Sequence, residues 1–260
     1  MDLGLEGKIV IVTGGSKGIG RATALAFLHE GASVLVCARG QQALDETVEA
    51  AGPVARERIN SIAADLMKPT ASKQVVTRCI ERFGRIDILV NNAGSARPGD
   101  FLQLTDEAWI DDWMLKFFGY VRMARAVLGP MQRQGNGVII NIIGAGGLNP
   151  TANYMIGGAA NAALNHFTKA LADAAAKFGV RVIGINPGPI LTERLLKMRG
   201  ANNTVGQPDE ETFRRMTPLG RIGKPDEVAD LVLFLASNRG SFIHGANISI
   251  DGGTTKGLMG

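Results

Sequence analysis

An apolar run, Ile9-Val10-Ile11-Val12, leads straight into Thr13-Gly14-Gly15-Ser16-Lys17-Gly18-Ile19-Gly20, and a helical pattern continues from Arg21 to Glu30. Strand, glycine-rich turn and helix start, in that order, leave few folds open. Free backbone N–H groups and the positive end of the helix dipole converge on one point and form an anion site. Gly14, Gly18 and Gly20 permit a tight turn, close approach of a pyrophosphate and packing of the helix on the strand. Their spacing departs from the usual dinucleotide fingerprint, so the reading rests on the flanking strand and helix as much as on the glycines.

Further strand-like runs recur at Ser33–Cys37, Ile59–Ala63, Ile86–Val90, Val138–Ile142, Val180–Ile185 and Ile248–Ile250, with helical patterns between them. Strands alternating with helices predict an α/β fold, a doubly wound parallel sheet covered on both faces. Helix starts are marked by Thr105 before Asp106-Glu107 and by Pro225 before Asp226-Glu227. The chain of 260 residues, 45% hydrophobic and 20% charged, has no Pro/Gly/Ser-rich divider, which predicts one domain over residues 1–260. It contains no run of 18 or more apolar residues, and Met1–Val10 carries Asp2 and Glu6 rather than a basic segment. That argues against a membrane span or secretory signal and for the cytoplasm. Cys37 and Cys79 fall in apolar patterns and are expected as two buried thiols. A net charge of +4 with interspersed acids gives no sign of nucleic-acid binding, and His29, His166 and His244 lack ligand spacing, so no metal is expected.

In a doubly wound sheet, ligands lie beyond the carboxyl ends of the strands. Arg39 follows the second strand, where a carboxylate would accept the ribose hydroxyls of NAD; a guanidinium suits a 2′-phosphate instead. Lys17 adds a second cation near it, and together they favour NADP over NAD. Asp65-Leu66, after the third strand, is placed to meet an adenine.

Asn91-Asn92-Ala93-Gly94 follows the fourth strand, Asn186-Pro187-Gly188-Pro189 with Thr192 follows the sixth, and Asp251-Gly252-Gly253 follows the last. With the glycine loop, these motifs resemble the short-chain dehydrogenase/reductase family over nearly the whole chain. The resemblance implies a Rossmann-type sheet of seven parallel strands, bound NAD(P), hydride transfer to or from a carbonyl or alcohol carbon, and usually a homotetramer. It also implies that Asn91 ties neighbouring strands beneath the cofactor and that Pro187, Gly188, Ile190 and Thr192 hold the nicotinamide end. The expected cofactor residues are therefore Gly14, Ser16, Lys17, Gly18, Ile19, Gly20, Arg39, Asp65, Leu66, Asn91, Ala93, Gly94, Pro187, Gly188, Ile190 and Thr192.

The family's catalytic set is Asn, Ser, Tyr and Lys: Tyr exchanges a proton with substrate oxygen, Lys assists it and grips the ribose, Ser bonds the oxygen, and Asn holds a water. Two placements compete here. Tyr154 is the obvious tyrosine, but Gly158 stands four residues on, where Lys belongs. A placement without a gap, running back from Ala162–Leu171, puts Gly157 at the Tyr position, Asn161 at the Lys position and Gly144 at the Ser position, with Lys116 where Asn belongs. The gapless placement is preferred, since the other needs a shortened loop and then an insertion in the next helix. All four usual residues are then replaced.

Asn and Lys have exchanged places between two sites that communicate through one water in the family, so the Lys116 ammonium could enter the space left by the missing Lys. Tyr154 lies about one helical turn before Gly157, which has no side chain to obstruct its ring. These considerations make Tyr154 the candidate proton donor and Lys116 its electrostatic partner, because a phenol needs a nearby cation to ionise near neutrality. Their plainer roles are a packing aromatic and a lysine reaching solvent. Gly144-Ala145-Gly146-Gly147 would widen the ground where Ser projects. Residues 191–216 form the expected substrate lid, with Arg194, Lys197, Arg199, Arg214 and Arg215 largely offset by Glu193, Asp209, Glu210 and Glu211. Trp109, Trp113, Phe117, Phe118 and Tyr120 are too many for one helix face, and part of that set is expected to meet a second subunit. The leading reading is an NADP-dependent short-chain oxidoreductase with an atypical or relocated site; the alternative is a nucleotide-binding pseudoenzyme acting as sensor or assembly partner.

Overall fold

Among the described residues, strands and α-helices follow in the order β1 (Ile9–Thr13), α1 (Gly18–His29), β2 (Ser33–Ala38), α2 (Gln41–Ala50), α3 (Gly52–Ala55), β3 (Ile59–Ala63), α4 (Ala71–Phe83), β4 (Ile88–Asn91), α5 (Asp106–Gln134), β5 (Gly137–Ile142), α6 (Met155–Ala175), β6 (Val180–Pro187), α7 (Pro225–Ala236) and β7 (Asn247–Ile250). They are seen in a computed structural model that describes residues 2–193, 195, 215 and 217–256. The seven strands form one sheet in the order β3-β2-β1-β4-β5-β6-β7, every neighbouring pair parallel. The order reverses between β1 and β4, and there the loops after the two strands part and open a crevice.

Side-chain alternation along each strand builds two cores. Val10 and Val12 of β1, with Val34 and Val36 of β2, pack on Ala24 and Phe27 of α1 and Val232 and Leu235 of α7. Ile9 and Ile11, with Leu35 and Cys37, face the other way onto Val75 and Cys79 of α4 and Met123, Val127 and Met131 of α5. Both sheet faces are dry, so the strands carry continuous β-branched runs. Cys37 and Cys79 are free and buried, and burial pushes both thiols up to about 12.

The strand runs read from sequence recur to within two residues at either end; β4 begins at Ile88 rather than Ile86, and β6 runs on to Pro187 rather than Ile185. Just before β4, the buried carboxylate of Asp87 accepts from the backbone N–H of Ile9 at 2.9 Å and from Arg85 at 2.6 Å, while its backbone bonds Ile9 and Val138 on either side. Thr105 caps α5 as expected, its hydroxyl accepting from the Ala108 N–H at 3.3 Å. Among the described residues no helix is long and apolar enough to cross a membrane.

Candidate active site

The glycine loop leaves β1 through Gly14, whose φ of 65° lies in the left-handed region. A side chain on Gly20 would run into the Gly14 carbonyl and the Asn92 carboxamide, so helix α1 starts hard against the loop. Asn92 braces the turn, donating from Nδ2 to the carbonyls of Thr13 at 3.0 Å and Gly14 at 3.1 Å. Thr13 returns the contact, its Oγ1 accepting from the N–H groups of Asn92 and Ala93. From α2, the Thr47 hydroxyl bonds the Ser16 carbonyl. A Cβ on Gly18 would stand 3.1 Å from Cγ2 of Thr192, so the loops after β1 and β6 meet across the crevice.

Of the two cations expected at the adenosine end, Arg39 is exposed and has no partner among the described residues. Lys17 is bound to Glu193 at 2.9 Å, and that hydrogen bond raises its pKa. Asp65 accepts from the Met67 N–H and so turns the chain after β3, while Leu66 is buried and its carbonyl accepts from Arg122 of α5. A glycine cradle that a Cβ would fill and an unpaired guanidinium at its far end suit a dinucleotide with an extra phosphate.

Beneath the crevice runs a buried polar chain. Asn91 donates to Asn141 across the β4–β5 pair at 3.0 Å, and Asn141 donates to the Thr168 hydroxyl on α6 at 2.9 Å. Beside it, Lys116 of α5 is buried, its aliphatic stem pressed against Gly94. The ammonium donates to the carbonyl oxygens of Ile143 at 2.8 Å and Ile142 at 3.1 Å, at the end of β5, and lies 3.3 Å from the Tyr120 hydroxyl. Tyr120 itself donates to the Ile142 carbonyl at 2.6 Å. The Lys116 charge is thus fixed on backbone carbonyls rather than carried out to solvent.

The turn from β5 to α6 is packed backbone on backbone. Gly144, at a φ of 129°, opens it. A side chain on Gly147 would strike the α6 backbone at Asn161 and Ala162, and one on Gly158 would sit 3.1 Å from the Gly146 carbonyl. Tyr154 stands immediately before α6, its ring over Gly157 and 3.1 Å from where a Gly146 Cβ would be. It packs on a small apolar cluster of Ala96, Ala108 and Ile156 joined by Trp109 and Trp113. Asn161 is buried, with Oδ1 unpartnered and Nδ2 beside Gly144. The widening expected at the glycine run is therefore filled by the Asn161 carboxamide.

A cavity of about 450 Å³ lies over these groups, lined by Lys116, Gly144, Tyr154 and Asn161 together with Ile19, Asn92, Gly94, Pro187, Gly188, Ile190 and Thr192. Lys116 and Tyr154 are the sole ionisable residues in its wall among the described residues. Asn149, Thr151 and Thr254 also line it and were not singled out in the sequence. Asn149 donates to Thr255 at 2.9 Å, which joins the β5–α6 turn to the chain after β7. The Asp251-Gly252-Gly253 turn pointed to that end of β7, and hence towards Thr254, but no motif marked Asn149 or Thr151.

A family model described as enoyl-(acyl carrier protein) reductase matches residues 14–255. The chain belongs to the short-chain dehydrogenase/reductase family. Among relatives in this family, a 3-oxoacyl-(acyl-carrier-protein) reductase of Thermotoga maritima is 34% identical over 96% of this chain and 98% of its own. A galactitol 2-dehydrogenase (L-tagatose-forming) of Cereibacter sphaeroides is 35% identical, covering 96% of each chain. L-sorbose reductase from Gluconobacter frateurii, solved with NADPH and L-sorbose, superposes with a TM-score of 0.94 at 33% identity over 99% of this chain and 100% of that one.

Within this short-chain dehydrogenase/reductase fold the two candidate catalytic residues come to one cavity from different elements, Lys116 from the middle of α5 and Tyr154 from the start of α6. The segment expected as a lid, residues 191–216, lies mostly outside the described residues, including Arg194, Lys197, Arg199 and Arg214. Of the crowded aromatics of α5, Tyr120 is buried, Trp113 and Phe117 meet at a tilt with centroids 5.5 Å apart, and Phe118 is exposed.

Proposed function

We propose that the protein is an NADP-dependent oxidoreductase that interconverts a small neutral carbonyl compound and its alcohol, with Tyr154 as proton donor and Lys116 as the fixed positive charge of the site. The observation that carries this is the placement of the Tyr154 ring over Gly157, in the wall of a cavity with no acidic side chain among the described residues. Family membership and relatives that act on sugars, polyols and 3-oxoacyl groups support carbonyl–alcohol chemistry. The NADPH of the sorbose reductase, taken with Arg39 here, supports the phosphorylated dinucleotide.

The Gly14–Gly20 cradle and the loop Pro187–Thr192 would hold the dinucleotide, which supplies the hydride when bound. Tyr154 delivers a proton to the substrate oxygen as the carbon is reduced, and takes it back in the reverse direction. Lys116, anchored by Ile142 and Ile143, offsets negative charge that grows on that oxygen in a cavity of low dielectric. Ile142, Ile143, Ala145 and Ile190 keep water from the reacting atoms. The exposed Ile110 and Phe118 on α5 support assembly into a homodimer or homotetramer. No observation favours a pseudoenzyme that binds nucleotide without turnover.

The test is a fluorescence titration with NADPH and NADH, followed by NADPH oxidation with L-sorbose and with ethyl acetoacetate as a β-keto probe. Tighter binding of NADPH and turnover of either probe are expected. Binding of neither nucleotide would refute the reading.

A further inference from the structure

We propose that Asn161 holds the substrate's carbonyl oxygen by donating from Nδ2, its carboxamide reaching from α6 into the space that a side chain on Gly144 would otherwise fill. The inference rests on the oxidoreductase reading above and adds the residue that orients the substrate for it.

Three observations converge. First, Asn161 is only 3% exposed and lines the cavity, and its Nδ2 donates to no group among the described residues. Buried amides are normally satisfied, and one left open beside a cavity is a group awaiting a ligand. Second, Nδ2 lies 2.9 Å from the point where a Cβ on Gly144 would stand and 3.5 Å from the corresponding point on Gly146. The φ of 129° at Gly144 is one that residues with a side chain rarely adopt. The β5 turn therefore offers no side-chain donor at this point, and α6 provides one in its place. Third, the same point above Gly146 is 3.1 Å from Cε1 of Tyr154. The amide and the edge of the phenol ring thus flank a single glycine, so the two groups border the same part of the cavity.

The chemistry matches the residue type. A carbonyl oxygen only accepts, and a carboxamide can always donate, because it does not titrate. When the carbonyl is reduced, the C=O π bond opens, the carbon gains hydride from NADPH, and the oxygen gains its proton from Tyr154. The N–H of Asn161 stays on nitrogen throughout, which makes its contribution independent of pH.

The test uses the full chain with NADPH and the two carbonyl probes, L-sorbose and ethyl acetoacetate. For Asn161→Leu, kcat is expected to fall about 100-fold while NADPH affinity, read by fluorescence, stays within about twofold of wild type. Asn161→Asp keeps the shape but donates only when protonated. Its activity relative to wild type should rise as pH falls, by up to about tenfold per unit above the carboxyl pKa. Asn161→Leu with undiminished kcat, or with NADPH affinity lost in step with kcat, would overturn the proposal. So would an Asn161→Asp profile parallel to wild type, which decides the matter if the leucine variant does not fold. A wild-type protein that binds NADPH but reduces neither probe would instead remove the oxidoreductase reading, and this proposal with it.

Discussion

The Tyr154 ring occupies the position from which a side chain on Gly157 would have to grow, with Cε1 and the hydroxyl oxygen both 2.5 Å from where that Cβ would stand. The residue immediately before α6 has thereby taken over the space beside its first turn. Gly157→Ala must displace the ring. Its kcat should fall towards that of Tyr154→Phe, about 100-fold or more below wild type, with NADPH affinity retained. Steady-state kinetics on ethyl acetoacetate with a parallel NADPH titration would decide it, and an alanine variant with full turnover would show that the ring position has no part in catalysis.

Lys116 should matter to folding as well as turnover. Lys116→Ala strips the ammonium from two carbonyl oxygens at the end of β5 and opens space beside Gly94. A loss of about 2 to 4 kcal/mol is expected, seen as a thermal midpoint lowered by several degrees. An unchanged midpoint would mean that the carbonyls find other donors.

Arg39 and Lys17 should contribute unequally to nucleotide choice. Arg39→Ala removes an unpaired guanidinium and should weaken NADPH about 10- to 100-fold with little effect on NADH. Lys17 is already paired with Glu193, and a phosphate would have to compete for it. Lys17→Ala should therefore cost less, and Glu193→Gln should tighten NADPH slightly. Parallel titrations with both nucleotides check the order of the three effects.

The acid limb of stability should involve Asp251. Burial works against its ionisation, but hydrogen bonds from Thr255, Gly253 and Thr254 outweigh that and hold the carboxyl below its ordinary value. A depressed carboxyl pKa stabilises the fold above the unfolded value of about 3.9, and the stabilisation is lost as pH falls through the folded value. Glu227, brought to about 2 chiefly by its hydrogen bond from Arg221, acts in the same sense. Thermal melts should be insensitive to these groups above about pH 5 and decline below about pH 4. Asp251→Asn should melt lower than wild type near neutrality, with the gap closing towards low pH. A gap that stays constant would assign the difference to packing.

How much could be read without coordinates follows from how local each feature is. The strands, the glycine loop and the cap at Thr105 depend on residues adjacent in the chain: β-branched runs, glycines at a turn, a hydroxyl before a helix. Asn91 was marked only by the family resemblance, and the structure places it at the last position of β4, in register with Asn141. By contrast, the pairing of Lys17 with Glu193 joins residues 176 apart, and that of Asn149 with Thr255 joins residues 106 apart. No local pattern encodes either.

The sequence by itself determined the parallel sheet and the glycine-rich turn between β1 and α1, because backbone propensity and apolar periodicity act within a few residues. The tertiary structure alone decided that Asn161 fills the gap beside Gly144, that Tyr154 lies over Gly157, and that the Lys116 ammonium rests on Ile142 and Ile143. These are consequences of how closely α6 settles on the β5 turn and how α5 passes beneath it. The separation between elements is set by the fit of their side chains, and where glycines remove those side chains the backbones close in and neighbouring groups claim the space.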